Sequence, residues 1–420
     1  MRKADWQAVG EVAGEALAAT GTLVKDFHEG VASRPFGILG PAAEPVRVVH
    51  DGASRMIYAG VRGGLRSLAR SGAELAAARA PDDGAPLGSR PGAALVIGAI
   101  NGVYGDHLRA RGNQLALGME IRHRGAEVPV APAGLALAFP NATSRVVVFV
   151  HGLCETEAAW RLPAGGTDRT DRRTYGERLQ QELDFTPVSL RYNTGLHISE
   201  NGRELARLLD DLVSAWPAEV HELVLVGHSM GGLVARGACH YAEREGCAWT
   251  EAVRHVFCLG TPHLGADLEK GANALGWVLG RLPETRALAR VLNARSVGIK
   301  DLRYGSCVDE DWCDCDPDEF LRDRCQEVPF LPAADYYFIG AALSPDPLGR
   351  LVGDLLVRSP SSSGRGNGRG RRIPFEVDNG YELCGLTHLD LLNHPAVYEQ
   401  LRKWITRSRE RPPEAETQAA

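Results

Sequence analysis

One pentapeptide in this chain has the residue types and spacing of a nucleophilic serine site. Residues 227–231 read Gly-His-Ser-Met-Gly, and they directly follow the apolar run 223–226 and precede a helical pattern. A serine on a tight turn between a strand and a helix needs small residues two positions to either side, because larger side chains would collide with the neighbouring elements. Gly227 and Gly231 meet this requirement. We therefore predict that Ser229 is a nucleophile, with the N-terminus of the helix directed at developing negative charge.

A second segment is suitably placed to help bind that charge. His151-Gly152-Leu153 follows the apolar run 145–150, at the end of a predicted strand. In folds that use this serine turn, the second donor of the oxyanion hole lies at such a strand end. The two predicted donors are therefore the backbone N–H groups of Leu153 and Met230.

These residues need a sheet that brings the ends of several strands together. Further apolar runs, typical of strands buried on both faces, occur at 187–192, 222–226, 255–259 and 336–339. Amphipathic helical patterns separate the strands at 175–183, 199–216 and 232–242. This alternation predicts a mostly parallel sheet covered by helices on both faces. Ahead of it, Arg124-Gly125 between the extended segments 115–122 and 126–130 predicts a β-hairpin.

Three motifs together resemble those of α/β-hydrolase lipases and esterases. They are Val-His-Gly-Leu at 150–153, Gly-His-Ser-Met-Gly-Gly at 227–232 and Leu-Gly-Thr-Pro-His-Leu-Gly at 259–265. Within that superfamily, the intracellular bacterial esterases and the GPI inositol-deacylase-like branch are the most similar. The resemblance covers residues 115 to 409 and implies an α/β-hydrolase fold. It also implies acyl chemistry by a triad in the order Ser, acid, His, without a cofactor.

The resemblance assigns the base of the triad to His388. The segment Gly-Leu-Thr-His-Leu-Asp at 385–390 follows an extended segment and precedes the helical pattern 395–405, which is where the family has its histidine. His394 is the main alternative, although its place directly before Pro395 also suits a residue that starts a helix. His263 is a weaker alternative, because it follows the strand after the nucleophile helix.

The resemblance assigns the acid of the triad to Asp354. Gly-Asp-Leu-Leu-Val at 353–357 is similar to the family's Asp-x-x-Val loop after the seventh strand, here predicted at 336–342. A Gly often follows that Asp, whereas Leu355 stands here. Asp346 and Asp335 are the alternatives. The predicted acid holds the imidazole in the productive tautomer and stabilises the imidazolium.

The remaining regions are interpreted as additions to the hydrolase domain, which we place at residues 115–410. Residues 1–111 have helical patterns and form an N-terminal region with a linker near 81–91. The segment 266–332 interrupts the alternation of strands and helices, and its apolar helices predict a cap or lid over the site. The tail 411–420 is predicted to be disordered.

Composition excludes several classes of function. The formal net charge of −6 comes from interspersed acidic and basic residues, so nucleic acid is not a predicted partner. No run reaches the ~18 to 20 apolar residues of a membrane-spanning helix, and no signal peptide is recognisable.

The odd number of cysteines fits reduced thiols. We expect a cytoplasmic protein, with peripheral contact to a membrane or lipid surface as the alternative, and the sequence indicates no protein partner.

A cysteine-bearing acidic loop is the one candidate metal site in the sequence. Its thiols are Cys307, Cys313, Cys315 and Cys325. Their spacing lacks the paired C-x2-C of common zinc sites, and the acidic residues lack the Gly of a calcium loop. We predict no metal and no cofactor.

Together these features predict a serine hydrolase that cleaves carboxylic esters, with a hydrophobic or lipid-like substrate. An acyltransferase or a thioesterase would use the same triad with a different acceptor or leaving group. A non-catalytic lipid-binding or scaffolding protein of the same fold is the alternative from another class.

Overall fold

The structure is a computed structural model. It describes residues 2–39, 44–80, 91–163, 173–279, 289, 293–319, 323–343, 357, 359–364 and 371–410. Its sheet consists of β1 (Glu120–His123), β2 (Ala126–Val128), β3 (Arg145–Val150), β4 (Thr186–Arg191), β5 (Glu222–His228), β6 (Val253–Leu259), β7 (Asp335–Ala342) and β8 (Gly380–Cys384). The strand order is β2-β1-β4-β3-β5-β6-β7-β8. All neighbours from β4 to β8 pair in parallel, whereas β1 is antiparallel to both β2 and β4.

The central strand β3 illustrates why these segments form a sheet buried on both faces. Its side chains alternate, so Val146, Val148 and Val150 join one apolar core while Val147 and Phe149 join the other. All five are buried. A continuous apolar run is therefore stable only with helices on both sides of the sheet.

The described helices lie on both faces of the sheet and ahead of it. They are α1 (Lys3–Leu39), α2 (Glu44–Ala77), α3 (Pro91–Ala110), α4 (Pro132–Ala138), α5 (Tyr175–Leu183), α6 (Ile198–Ala215), α7 (Met230–Glu245), α8 (Asp267–Leu279), α9 (Val297–Asp301), α10 (Ser359–Ser362) and α11 (Pro395–Glu410). Leu205 of α6 and Leu233 of α7 pack in one core, whereas Leu179 of α5 and Leu401 of α11 pack in the core across the sheet. The predicted parallel sheet with helices on both faces is confirmed.

The predicted hairpin is also present. Arg124 and Gly125 connect β1 to β2 with φ values of 50° and 81°. Two consecutive positive φ angles are the geometry of a type I′ turn, whose twist matches that of the flanking strands.

Helix α3 is packed tightly against the domain predicted at residues 115–410. The hydroxyl of Ser296 donates to the carbonyl of Gly102 at 2.5 Å, and the amide of Asn193 donates to the carbonyl of Gly105 at 3.0 Å. Residues on the two sides of the domain boundary predicted between 111 and 115 are therefore in direct contact. The linker predicted near 81–91 lies almost wholly outside the described residues. Within the described residues, no helix is both long and apolar enough to cross a bilayer.

The described part of the predicted cap is partly helical, in α8 and α9. The hydroxyl of Ser199 in α6 donates to Asp309 at 2.7 Å, and Gly237 of α7 lies against the carbonyl of Cys307. Residues 296–311 thus contact α6 and α7, while 280–288 lie outside the described residues. Among the described residues, no three His, Cys, Asp or Glu side chains are grouped to bind a metal ion.

Candidate active site

Ser229 forms a sharp turn between a strand and a helix. Strand β5 ends at His228 and α7 begins at Met230, so a single residue connects them. Its φ of 52° and ψ of −122° lie outside the regions that L-residues favour. The Ser229 N–H donates to the carbonyl of Leu259 in β6 at 2.7 Å. The strand, turn and helix predicted around this serine are therefore all present.

The glycines on either side of Ser229 are required by close approach of the backbone. A Cβ on Gly227 would lie 2.5 Å from the nitrogen of Gly232, and a Cβ on Gly231 would strike the carbonyls of Val150 and His151. The N-terminus of α7 is therefore packed directly against the end of β3.

The segment after β3, residues 152–155, contains the predicted donor Leu153, and we name it the oxyanion loop for that prediction. The Gly152 N–H donates to Oε2 of Glu155 at 2.7 Å, and the Glu155 N–H donates back to the carbonyl of Gly152 at 3.3 Å. Cys154 has a φ of 62°, and its N–H donates to the hydroxyl of Thr194 at 3.2 Å. The loop is thus held closed by its own backbone and by one carboxylate.

The two predicted oxyanion donors lie beside the serine. The N–H groups before and after Leu153 are engaged, whereas that of Leu153 makes no hydrogen bond to another described residue. A Cβ on Gly152 would lie 3.0 Å from the Cβ of Ser229, so the loop directly adjoins the nucleophile. Met230 is the first residue of α7, where N–H groups lack partners within the helix.

His388 lies at the same end of the parallel strands as Ser229. It begins a short 3₁₀ helix, His388–Leu392, that follows β8, and its side chain is buried. A Cβ on Gly260 would lie 2.9 Å from Cε1 and 3.0 Å from Nδ1 of the imidazole. Gly260 directly follows Leu259, the residue whose carbonyl binds the Ser229 N–H. The ring centroids of His388 and His228 are 4.7 Å apart.

The predicted acid, Asp354, lies outside the described residues, as does its alternative Asp346. Asp335 is described, and it is the first residue of β7, in register with His255 of β6. Its carboxylate accepts the hydroxyl of Tyr337 at 3.2 Å. Parallel strands place their first residues at the sheet edge opposite Ser229, so Asp335 is at the wrong end of its strand to orient His388.

The two alternative histidines have structural contacts instead. The backbone N–H of His394 donates to the Tyr175 hydroxyl at 2.7 Å, and its Nδ1 accepts the N–H of Ala396 at 3.2 Å. His263 is fully buried, with Nδ1 3.1 Å from a guanidinium nitrogen of Arg236. Burial and that nearby charge lower the pKa of His263 far below its ordinary value, so it is neutral.

Two residues at the site were not predicted from the sequence. Glu155 Oε1 lies 3.0 Å from Nδ1 of His228, and Nε2 of the same imidazole lies 3.2 Å from the carbonyl of His388. Their signal in the sequence is slight: an acidic residue three positions after Gly152, and a histidine directly before the nucleophile.

A cavity of about 330 Å³ lies elsewhere, lined mostly by residues of the predicted cap. Its lining includes His197, Lys300, Arg303 and Trp312, but neither Ser229 nor His388. It is therefore distinct from the site.

The fold and the geometry of the turn define the class: the chain has an α/β-hydrolase fold. Residues 141–316 match the family model of the PGAP1-like alpha/beta domain. The match confirms the resemblance predicted from the three motifs, all of which lie inside it. His388 lies outside the matched residues, as does Asp354. No curated protein sequence matches the chain.

Solved structures with similarity to the chain include three with lipase or esterase in their descriptions. The mature form of Bacillus licheniformis lipase BlEst2 is 16% identical, with 62% of this chain and 91% of that chain covered and a TM-score of 0.40. A putative esterase from Staphylococcus aureus is 12% identical, with 64% and 77% covered and a TM-score of 0.34. A Pyrobaculum calidifontis esterase is 16% identical, with 64% and 76% covered and a TM-score of 0.33.

Proposed function

We propose that the protein is a serine hydrolase that cleaves carboxylic esters through an acyl-enzyme, with Ser229 as nucleophile, His388 as base and Asp354 as acid. The observation that carries the proposal is the strained turn at Ser229, which lies next to the oxyanion loop and to Leu259-Gly260, against which the His388 ring packs. Non-glycine residues with such a backbone cost about 1 to 3 kcal/mol and persist mainly where function requires them.

The proposed reaction has two halves. His388 takes the proton of the Ser229 hydroxyl as the oxygen attacks the ester carbonyl, and the N–H groups of Leu153 and Met230 bind the resulting oxyanion. His388 then gives the proton to the departing alcohol oxygen as the C–O bond breaks. Water repeats the sequence on the acyl-enzyme and releases the acid and the free serine.

The proposed substrate is a hydrophobic or lipid-like ester. Helix α8 of the predicted cap has three largely exposed apolar side chains, Leu275, Trp277 and Val278. Exposed apolar surface of this kind favours contact with an acyl chain.

The test is a panel of p-nitrophenyl esters of increasing acyl length, applied to the wild type and to Ser229→Ala. We expect cleavage by the wild type, loss of at least about 10³-fold in the variant, and an unchanged melting profile. Stoichiometric reaction of a fluorophosphonate with Ser229 identifies the nucleophile independently. Undiminished turnover by Ser229→Ala would refute the assignment, and a wild type inert to esters and fluorophosphonate would refute the function.

A further inference from the structure

We infer that Glu155 and His228 form a buried ion pair that positions the oxyanion loop and the base His388 for the proposed reaction, on which this inference rests. Neither residue belongs to the proposed triad or supplies an oxyanion donor. Both act through other residues, so their role is one of positioning.

The hydrogen-bond partners of His228 determine its charge. Nδ1 faces the carboxylate of Glu155 at 3.0 Å, and Nε2 faces the carbonyl oxygen of His388 at 3.2 Å. Both partners are acceptors, so both ring nitrogens must donate, which only the imidazolium form can do. The charged ring is fully buried and therefore needs a compensating anion nearby.

The neighbouring His151 shows the opposite arrangement. Its Nδ1 faces the carbonyl of Gly152 at 3.0 Å, while its Nε2 accepts the N–H of Tyr192 at 3.3 Å. One donor and one acceptor suit a neutral ring, and burial correspondingly lowers the pKa of His151. Two histidines at the same sheet edge thus differ in charge because their partners differ.

Glu155 supplies the anion for His228. Burial alone would raise the pKa of this carboxyl, but the charge and hydrogen bond of His228, together with the Gly152 N–H, lower it below its ordinary value. Among the described residues, the other titratable groups near the pair are His151, His388, Cys154 and Tyr192. The side chain of Trp160 packs near the His228 ring at 6.2 Å between centroids.

The pair connects the oxyanion loop to the backbone of His388. Through Gly152, Glu155 closes the loop that presents the Leu153 N–H. Through its carbonyl contact, His228 fixes the backbone of His388, whose ring lies 4.7 Å away. Oxyanion donors act only when they are held where the charge develops, so a loose loop should reduce turnover more than binding.

The substitution Glu155→Gln removes the negative charge of the side chain but keeps its packing. The amide has nearly the same shape, its oxygen can still accept the Gly152 N–H, and its nitrogen can donate to a neutral His228. We expect kcat for a p-nitrophenyl ester to fall by about 10- to 100-fold, with KM within about twofold. Glu245→Gln, an exposed position on α7, is the matched control and should keep the wild-type rate.

Two further readouts distinguish a positioning pair from ordinary core residues. In ¹⁵N NMR spectra of the wild type at pH 7, the His228 signals, assigned by their loss in His228→Gln, should show both ring nitrogens protonated. In Glu155→Gln the ring should become neutral. The double variant Glu155→Gln/His228→Gln should lose no more activity than the worse single variant, because the two residues act as a unit.

The outcomes separate this inference from the proposed function. A neutral His228 in the wild type overturns the ion pair, whatever the activity. A charged His228 with full kcat in Glu155→Gln overturns the positioning role and leaves the hydrolase assignment intact. A wild type inert to esters and fluorophosphonate removes the proposed function, and the positioning role falls with it. If Glu155→Gln melts early, the wild-type spectra still decide the charge and His228→Gln supplies the rate.

Discussion

At the scale of single residues, partners rather than residue type decide what each histidine can do. The His388 ring packs against Gly260, whereas Nδ1 of His394 accepts the N–H of Ala396 at the start of α11. Both belong to the same short C-terminal segment, and spacing alone leaves the choice of base open. The contacts of His388 support its proposed role as the base, whereas those of His394 suit the start of a helix.

This difference predicts opposite effects of two alanine substitutions. His388→Ala should reduce kcat/KM by about 10⁴-fold or more, because the serine loses its base. His394→Ala should keep the rate within about twofold but lower the free energy of unfolding by about 1 kcal/mol, because a helix cap is lost. Ester kinetics and urea denaturation measure the two effects. Comparable loss of rate in His394→Ala would make it the base instead.

The same contrast shows which features of the site can be predicted from the sequence. Ser229 and its flanking glycines are recognisable because their sequence pattern is local: one strand, one turn and one helix. Glu155 and His228 are 73 residues apart, and nothing in their local sequence indicates that the fold brings them together. Strand β5 was predicted to end at Val226 but continues to His228, because its ladder with β6 extends to Leu259.

At the scale of elements, α3 packs directly against the backbone of the oxyanion loop. A Cβ on Gly98 would lie 2.7 Å from the carbonyl oxygen of Glu155, and one on Gly102 would lie 2.9 Å from the Cα and nitrogen of Cys154. The helix could be predicted from its apolar spacing, but its partner could not, because glycines carry no pattern that specifies what they contact.

Gly102→Ala should therefore impair catalysis. Alanine is the better helix former by about 1 kcal/mol, so any loss must come from the collision of the new methyl group with the loop backbone. We expect kcat to fall by about tenfold or more as the Leu153 N–H is displaced. Gly63→Ala in α2, where nothing lies within 4 Å, is the control and should keep the wild-type rate. Equal rates in both variants would mean that α3 does not support the loop.

At the scale of the whole molecule, folding buries a histidine within the central sheet. His255 of β6 is buried between the rings of Phe257 and Tyr337, each 5.8 Å away between centroids. Burial lowers its pKa to about 4, although the Asp335 carboxylate opposes the shift.

This buried histidine makes stability depend on pH in a defined window. The unfolded chain binds the proton below about pH 6.5, whereas the folded protein binds it only below about pH 4. Its contribution is complete above pH 6.5 and is lost as the pH falls toward 4, an effect of about 3 kcal/mol. Thermal melts of His255→Phe should show a shallower decline over that window, with exposed His221→Gln as control. An unchanged decline would mean that other groups dominate.

The contacts that assemble the site span long stretches of chain. His228 meets Glu155 across 73 residues and the backbone of His388 across 160. Contacts between distant segments form slowly, because each requires closure of a large loop. Helices can therefore form well before a refolding chain assembles the site, and recovery of the proposed turnover would report the docking of the C-terminal segment rather than the formation of secondary structure.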